Sequence, residues 1–242
     1  MDMCTSIVVN GKKTLFAFNF DNPGWKYHIV TKNKAFYISL LVNEKLWTPT
    51  FGCNARGDFA TLPGMNPGVK EGYYQKGNNL HYIDQINLAF LLERTSLSEL
   101  TEIVKANPIY NEEHLSLQAQ DADKDGNVLQ IFPGLGYKIL AKPAYSVLTN
   151  FQLMVEEKEH HPWAGVDRYE KANAFLEQAK GNVDVNDLLS LLKETAQVGG
   201  GAPTMVSFVY DVAAKRVVYV EKQDWDHPLE LIFDQMGHSL TK

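Results

Sequence analysis

The sequence predicts an α+β protein of mostly antiparallel sheets with segregated helices. Three observations lead there. Hairpin signals, Asn10-Gly11 and Asp125-Gly126, stand between β-prone apolar runs. Helical periodicity comes in two blocks that separate groups of strands. The resulting order is strands, helices, strands, helices, strands, which is not the regular alternation of a doubly wound parallel fold.

The elements follow in chain order. Residues 6–9 and 14–20 are apolar runs joined by Asn10-Gly11. Residues 28–31 and 35–42 read as two more strands, and the first sixty residues as a whole are strand-rich. Ile83, Ile86, Ala89 and Phe90 recur at helical spacing within 82–94. Ser96 followed by Glu99 makes a capping box that opens a helix to about Ala106. Residues 115–119 and 128–132 alternate around Asp125-Gly126 as a hairpin, and 145–149 is a short strand. Residues 167–179 and 184–196 are amphipathic helices. Residues 204–211 and 216–220 form a last hairpin.

No repeat or low-complexity linker divides the 242 residues, so one domain over 1–242 is expected. Apolar residues at 45% and charged residues at 21% describe a chain that folds around a core rather than a disordered one. The 23 Lys+Arg against 29 Asp+Glu leave a net charge of −6 and no basic run, which argues against nucleic-acid binding. No apolar stretch approaches the ~20 residues of a membrane span. The start, Met1-Asp2-Met3, lacks the features of a signal peptide, and two cysteines make no disulfide framework. A cytoplasmic protein without membrane association is expected.

Several motifs dissolve on inspection. Asp121, Asp123, Asp125 and Gly126 open like an EF-hand loop, but its twelfth position must be a bidentate Glu and is Phe132. A hairpin turn is the better reading. Gly199-Gly200-Gly201 lacks the Lys-Ser/Thr of a phosphate loop. His160-His161 has no HExxH companion and reads as a surface loop. No metal or cofactor is expected.

Cys4 stands apart. Removal of residues 1–3 would give it both a thiol and an α-amine of pKa about 7.7–8, so that one residue carries nucleophile and base. Asp2 is too large a neighbour for ordinary removal of Met1. Exposure of Cys4 therefore requires either self-cleavage after Met3 or translation that starts at Met3.

Cys4-Thr5-Ser6, followed after a hairpin by Phe18-Asn19-Phe20-Asp21, resembles the choloylglycine hydrolase family of N-terminal-nucleophile (Ntn) hydrolases, which includes penicillin V acylases and bile salt hydrolases. Gly52-Cys53-Asn54-Ala55-Arg56-Gly57, Gly64-Met65-Asn66-Pro67, Asp123-Lys124-Asp125-Gly126, Val147-Leu148-Thr149-Asn150 and Asp167-Arg168-Tyr169 resemble further family segments, in the family's order and over most of the chain. The resemblance implies a four-layer αββα Ntn-hydrolase sandwich with two mostly antiparallel sheets. It also implies hydrolysis of a linear, non-peptide C–N amide bond in an N-acylated small amine, with no cofactor. Carried over by position, Cys4 is the nucleophile and Asp21 accepts hydrogen bonds from its amine. Arg168 lies nearby and favours thiolate. Asn66 and Asn150 donate to the oxyanion.

Two departures accompany this. Phe18 replaces the family's arginine, a cation that helps to activate the cysteine. The chain is also shorter than typical bile salt hydrolases, partly between Asn150 and Arg168, so a smaller N-acyl amide is the expected substrate. Acyl transfer from the same Cys4 and a non-catalytic ligand-binding role are the alternatives. Homo-oligomerisation stays open.

Overall fold

The structure, a computed structural model, describes residues 4–32, 34–42, 46–65, 81–111, 116–154 and 165–235. One sheet has six strands: β1 (Thr5–Asn10), β2 (Thr14–Asp21), β12 (Tyr145–Leu148), β13 (Thr204–Asp211), β14 (Arg216–Glu221) and β15 (Leu229–Ile232). Their order is β12-β1-β2-β13-β14-β15, antiparallel throughout. The second sheet has seven: β3 (Tyr27–Lys32), β4 (Ala35–Val42), β5 (Leu46–Asn54), β6 (Phe59–Thr61), β9 (Ala119–Ala122), β10 (Val128–Phe132) and β11 (Gly136–Leu140). Its order is β11-β10-β9-β6-β5-β4-β3, also antiparallel. A short parallel pair, β7 (His81–Tyr82) and β8 (Ile109–Tyr110), stands apart.

Strand alternation divides the side chains into layers. From β2, Phe16, Phe18 and Phe20 point between the sheets, where Phe18 stacks on Phe51 and Phe16 on Phe59, each at 4.9 Å between centroids. Phe36 and Phe208 close the same aromatic core. Ile7, Val9, Leu15 and Ala17 point to the opposite face. There they meet Ala172 and Leu176 of α3 (Val166–Ala179) and Leu188, Leu191 and Leu192 of α4 (Val185–Glu194). Two helices, α1 (Ile83–Leu91) and α2 (Leu97–Ala106), cover the seven-stranded sheet. The four-layer αββα sandwich is thus the fold of the chain. Among the described residues no helix is long and apolar enough to cross a membrane.

The expected elements are found within a few residues, and the differences have local causes. The helix expected to reach Arg94 stops at Leu91, because Glu93 turns into the left-handed region (φ 59°) and the Glu93 and Arg94 amides bond back to Phe90 O and Ala89 O. The capping box at Ser96 and Glu99 is present. The strand expected over 115–119 lies instead at Ala119–Ala122, with Leu117 making only a bridge to Gly64. Gln120 and Asp121 are buried residues of this strand. Asp123 Oδ1 accepts from the Asp125 and Asn127 amides, a turn rather than a calcium loop, and the described residues hold no cluster fit for a metal. Strand β5 was disguised by Pro49, which sits beside a register shift against β4, where β6 does not reach. His160 and His161 lie outside the described residues.

Candidate active site

Antiparallel register brings distant segments to Cys4. Ser6 faces Leu148 across β1 and β12, so two residues on Cys4 stands level with Asn150. Thr5 faces Asn19 across β1 and β2, so Asp21 lies one pleat beyond, at the end of β2. Helix α3 begins beside both, and its first turn carries Arg168.

The four residues form one buried, hydrogen-bonded unit, each no more than 3% exposed. The Cys4 backbone N donates to Asn150 Oδ1 at 2.7 Å. Arg168 Nη2 donates to the same oxygen at 2.9 Å, and Nη1 donates to Asp21 Oδ2 at 3.1 Å and Thr5 Oγ1 at 3.2 Å. Thr204 Oγ1 donates to Asp21 Oδ1. Asn150 Nδ2 donates to Gly64 O at 2.8 Å. Two donors on one side and a carbonyl on the other fix which way the Asn150 amide faces. The Cys4 nitrogen thus meets Asn150 Oδ1, and the Asp21 carboxylate takes the guanidinium and the Thr204 hydroxyl. Arg168 reaches Cys4 through the shared Asn150 oxygen. Asn66, the second expected oxyanion donor, lies outside the described residues, one position past Met65.

Gly165 makes room for this arrangement. It adopts φ 78°, and a Cβ built there would run into the Arg168 guanidinium. Its carbonyl also accepts from Thr149 Oγ1 at 3.0 Å, which ties the start of α3 to the segment carrying Asn150.

Strand alternation puts Cys4 on the face between the sheets, in the core cluster that holds Phe18. Phe18 is fully buried against Phe51 and Phe208, so aromatic rings fill the position where the family's arginine was expected. Beside them a polar seam joins the sheets. Gln120 Nε2 donates to Ser6 O and Oγ, both at 3.0 Å. Its Oε1 accepts from Gln130 Nε2 at 2.8 Å and Ser146 Oγ at 2.6 Å. Ser6 and Thr61 share a hydroxyl contact of 2.9 Å. Cys53, the other cysteine, is fully buried; burial pushes its thiol pKa well up and keeps it neutral.

Sequence reasoning missed Thr5, Thr204 and Gly165. Thr5 was quoted only as part of the opening motif. Thr204 has no local signature and reaches Asp21 only because β13 pairs with β2. Gly165 was legible only as a glycine before a helix.

No protein-family model and no curated protein matches the chain. Its fold does match solved structures. A mutant of the conjugated bile acid hydrolase from Clostridium perfringens superposes with a TM-score of 0.68 at 14% identity, covering 96% of this chain and 93% of that one. A second variant of that hydrolase gives 0.64 at 13% identity, with the same coverages. Penicillin V acylase from Agrobacterium tumefaciens gives 0.52 at 11% identity, covering 94% and 84%. The chain thus shares, over nearly its whole length, the αββα sandwich of a conjugated bile acid hydrolase and a penicillin V acylase.

Proposed function

We propose that this chain is a cysteine amidase of the N-terminal-nucleophile type. It hydrolyses the linear C–N amide bond of an N-acylated small amine through a thioester on Cys4. The observation that carries this reading is the buried unit of Cys4, Asn150, Arg168 and Asp21, on a fold shared with two amide-cleaving enzymes. Sequence resemblance singled these residues out from four separate segments, and ordinary turn residues would have no reason to converge.

In this reading the chain starts at Cys4, and its α-amine takes the thiol proton. The thiolate attacks the acyl carbon, forming the S–C bond. Asn150 Nδ2 and Asn66 stabilise the oxyanion. The ammonium returns its proton to the leaving nitrogen as the C–N bond breaks. Water, deprotonated by the same amine, then cleaves the thioester. Arg168 and Asp21 hold Asn150 and the start of β1 in register, and the buried cation favours thiolate. Conjugated bile acids and penicillin V are the first substrates to try, followed by smaller N-acyl amines.

The test is amine release from that panel, with Cys4→Ala as control. Turnover by the native protein that the variant lacks supports the proposal. Transfer of the acyl group to an added amine would reassign the chain as an acyltransferase. The aromatic filling around Phe18 favours a second reading, a ligand-binding protein without turnover. It predicts binding that Cys4→Ser leaves unchanged and no amine release from any substrate.

A further inference from the structure

Gln118 stands one residue ahead of β9 and is fully buried. Its Nε2 donates to Thr149 O, the carbonyl next to Asn150. Alternation places it on the face that carries Gln120, whose amide reaches Ser6. Two residues from Gln120 towards Asn150 is the level of Cys4. Gln118 Oε1 has no hydrogen-bond partner among the described residues, although it is closed to solvent. The amide cannot simply be turned over, since Oε1 would then oppose Thr149 O, an acceptor against an acceptor. Gln120 supplies the contrast: on the same face both of its amide atoms are paired. A buried carbonyl without a donor costs stability, and such a group in a native protein calls for an explanation, a part in the chemistry among them.

We propose that Gln118 Oε1 accepts the N–H of the substrate's scissile amide, which makes Gln118 a specificity residue for secondary amides. The proposal rests on the amidase reading above. When the nitrogen becomes tetrahedral, an N–H held by Gln118 turns its lone pair away from that carbonyl and towards the Cys4 ammonium. The proton that completes the leaving amine comes from that ammonium, and Gln118 itself exchanges none.

The test is a chemical double-mutant cycle on protein whose mass confirms a Cys4 N-terminus. The substrates are an amide and the matching ester, which has oxygen where the amide has N–H. For Gln118→Met the amide-to-ester ratio of kcat/KM is expected to fall roughly ten- to a hundred-fold. Gln118→Glu is expected to restore it, because a buried glutamic acid held neutral donates O–H to Thr149 O and keeps an acceptor. An equal fall on both substrates, as a purely structural role would give, overturns the proposal, and so does an unchanged ratio. Should Gln118→Met fail to fold, the wild-type protein still decides. It is expected to cleave the N-methylated amide more slowly than the parent by a similar factor, and equal rates overturn the proposal. Ester and amide turnover without discrimination sinks the Gln118 role alone; no turnover of either substrate sinks the amidase reading and this inference with it.

Discussion

Replacing Arg168 by methionine removes a buried cation while leaving a shape that fits. Three acceptors lose a donor at once: Asp21 Oδ2, Thr5 Oγ1 and Asn150 Oδ1. The largest cost falls on the Asp21 carboxylate, which is fully buried and loses its guanidinium while keeping the Thr204 hydroxyl. Breaking one side of a buried ion pair costs about 3–5 kcal/mol. Against a total stability of about 5–15 kcal/mol this is a large fraction. For a chain of this length it corresponds to a fall in Tm of roughly 6–20 °C, at about 2–4 °C per kcal/mol. Adding Asp21→Asn to Arg168→Met removes the charge that lost its guanidinium. The double variant is therefore expected to be more stable than the sum of the single losses by about 2–3 kcal/mol. Urea denaturation of all four proteins measures this, provided the m-value stays constant. A loss below about 1 kcal/mol for Arg168→Met, the scale of an exposed pair, would refute the picture of a buried pair. Strict additivity would refute the coupling.

Further predictions concern residues around this unit. Asp121, fully buried on β9, has its pKa raised well above the ordinary carboxylate value by burial and then by the negative Asp58, with the Thr61 amide working against the shift. The folded state then keeps a proton that the unfolded state releases above pH ~4, so stability is full below that pH and is lost as pH rises towards the folded pKa. The wild-type protein is expected to lose about 1.4 kcal/mol per pH unit relative to Asp121→Asn across that window. A wild-type stability that shows no loss relative to Asp121→Asn as pH rises above ~4 would contradict this. Phe18→Arg, which puts a cation into the aromatic core, is expected to destabilise more than Phe18→Ala, itself worth about 3–5 kcal/mol, because Phe51 and Phe208 around it offer no charge to pair with. An active, stable Phe18→Arg protein would show that the rings yield to a charge. Gly165→Ala and Gly199→Ala share a left-handed backbone (φ 78° and 74°), but only the first drives a Cβ into Arg168. Gly165→Ala is expected to lose more stability and more amide turnover than Gly199→Ala; equal effects would mean backbone strain alone.

Much of the fold was legible because its signals are local. Asn10-Gly11 pins the first hairpin, and the Ser96–Glu99 box opens α2 where it was expected. What escaped depends on tertiary pairing. Pro49 argues against a strand until Thr50 beside it is seen to be the extra residue of a register shift against β4. Gln120 carries no local signal of its burial; its partners Ser6, Gln130 and Ser146 come from three other strands. Edge strand β11 puts Tyr137 and Ile139 on its more exposed face and Lys138 on the less exposed one, so its burial runs against its hydrophobicity. For the site, resemblance supplied Cys4, Asp21, Asn150 and Arg168, and the structure brings those four together. Which atom meets which was beyond sequence, since Cys4 N finds Asn150 Oδ1 only through the register of β1 with β12. Thr204 and Gln118 belong to the same class: each acts across a distance in sequence that no motif spans.

The central claim is that Cys4 is an N-terminal nucleophile, and the intact mass of untagged protein tests it most directly. The native chain is expected to begin at Cys4, Cys4→Ala to retain Met1-Asp2-Met3, and brief exposure to a substrate to add one acyl group to the native chain alone. A native protein that keeps all three residues, when expressed from Met1 and equally when expressed from Met3, and that never gains an acyl group on Cys4, would contradict the account.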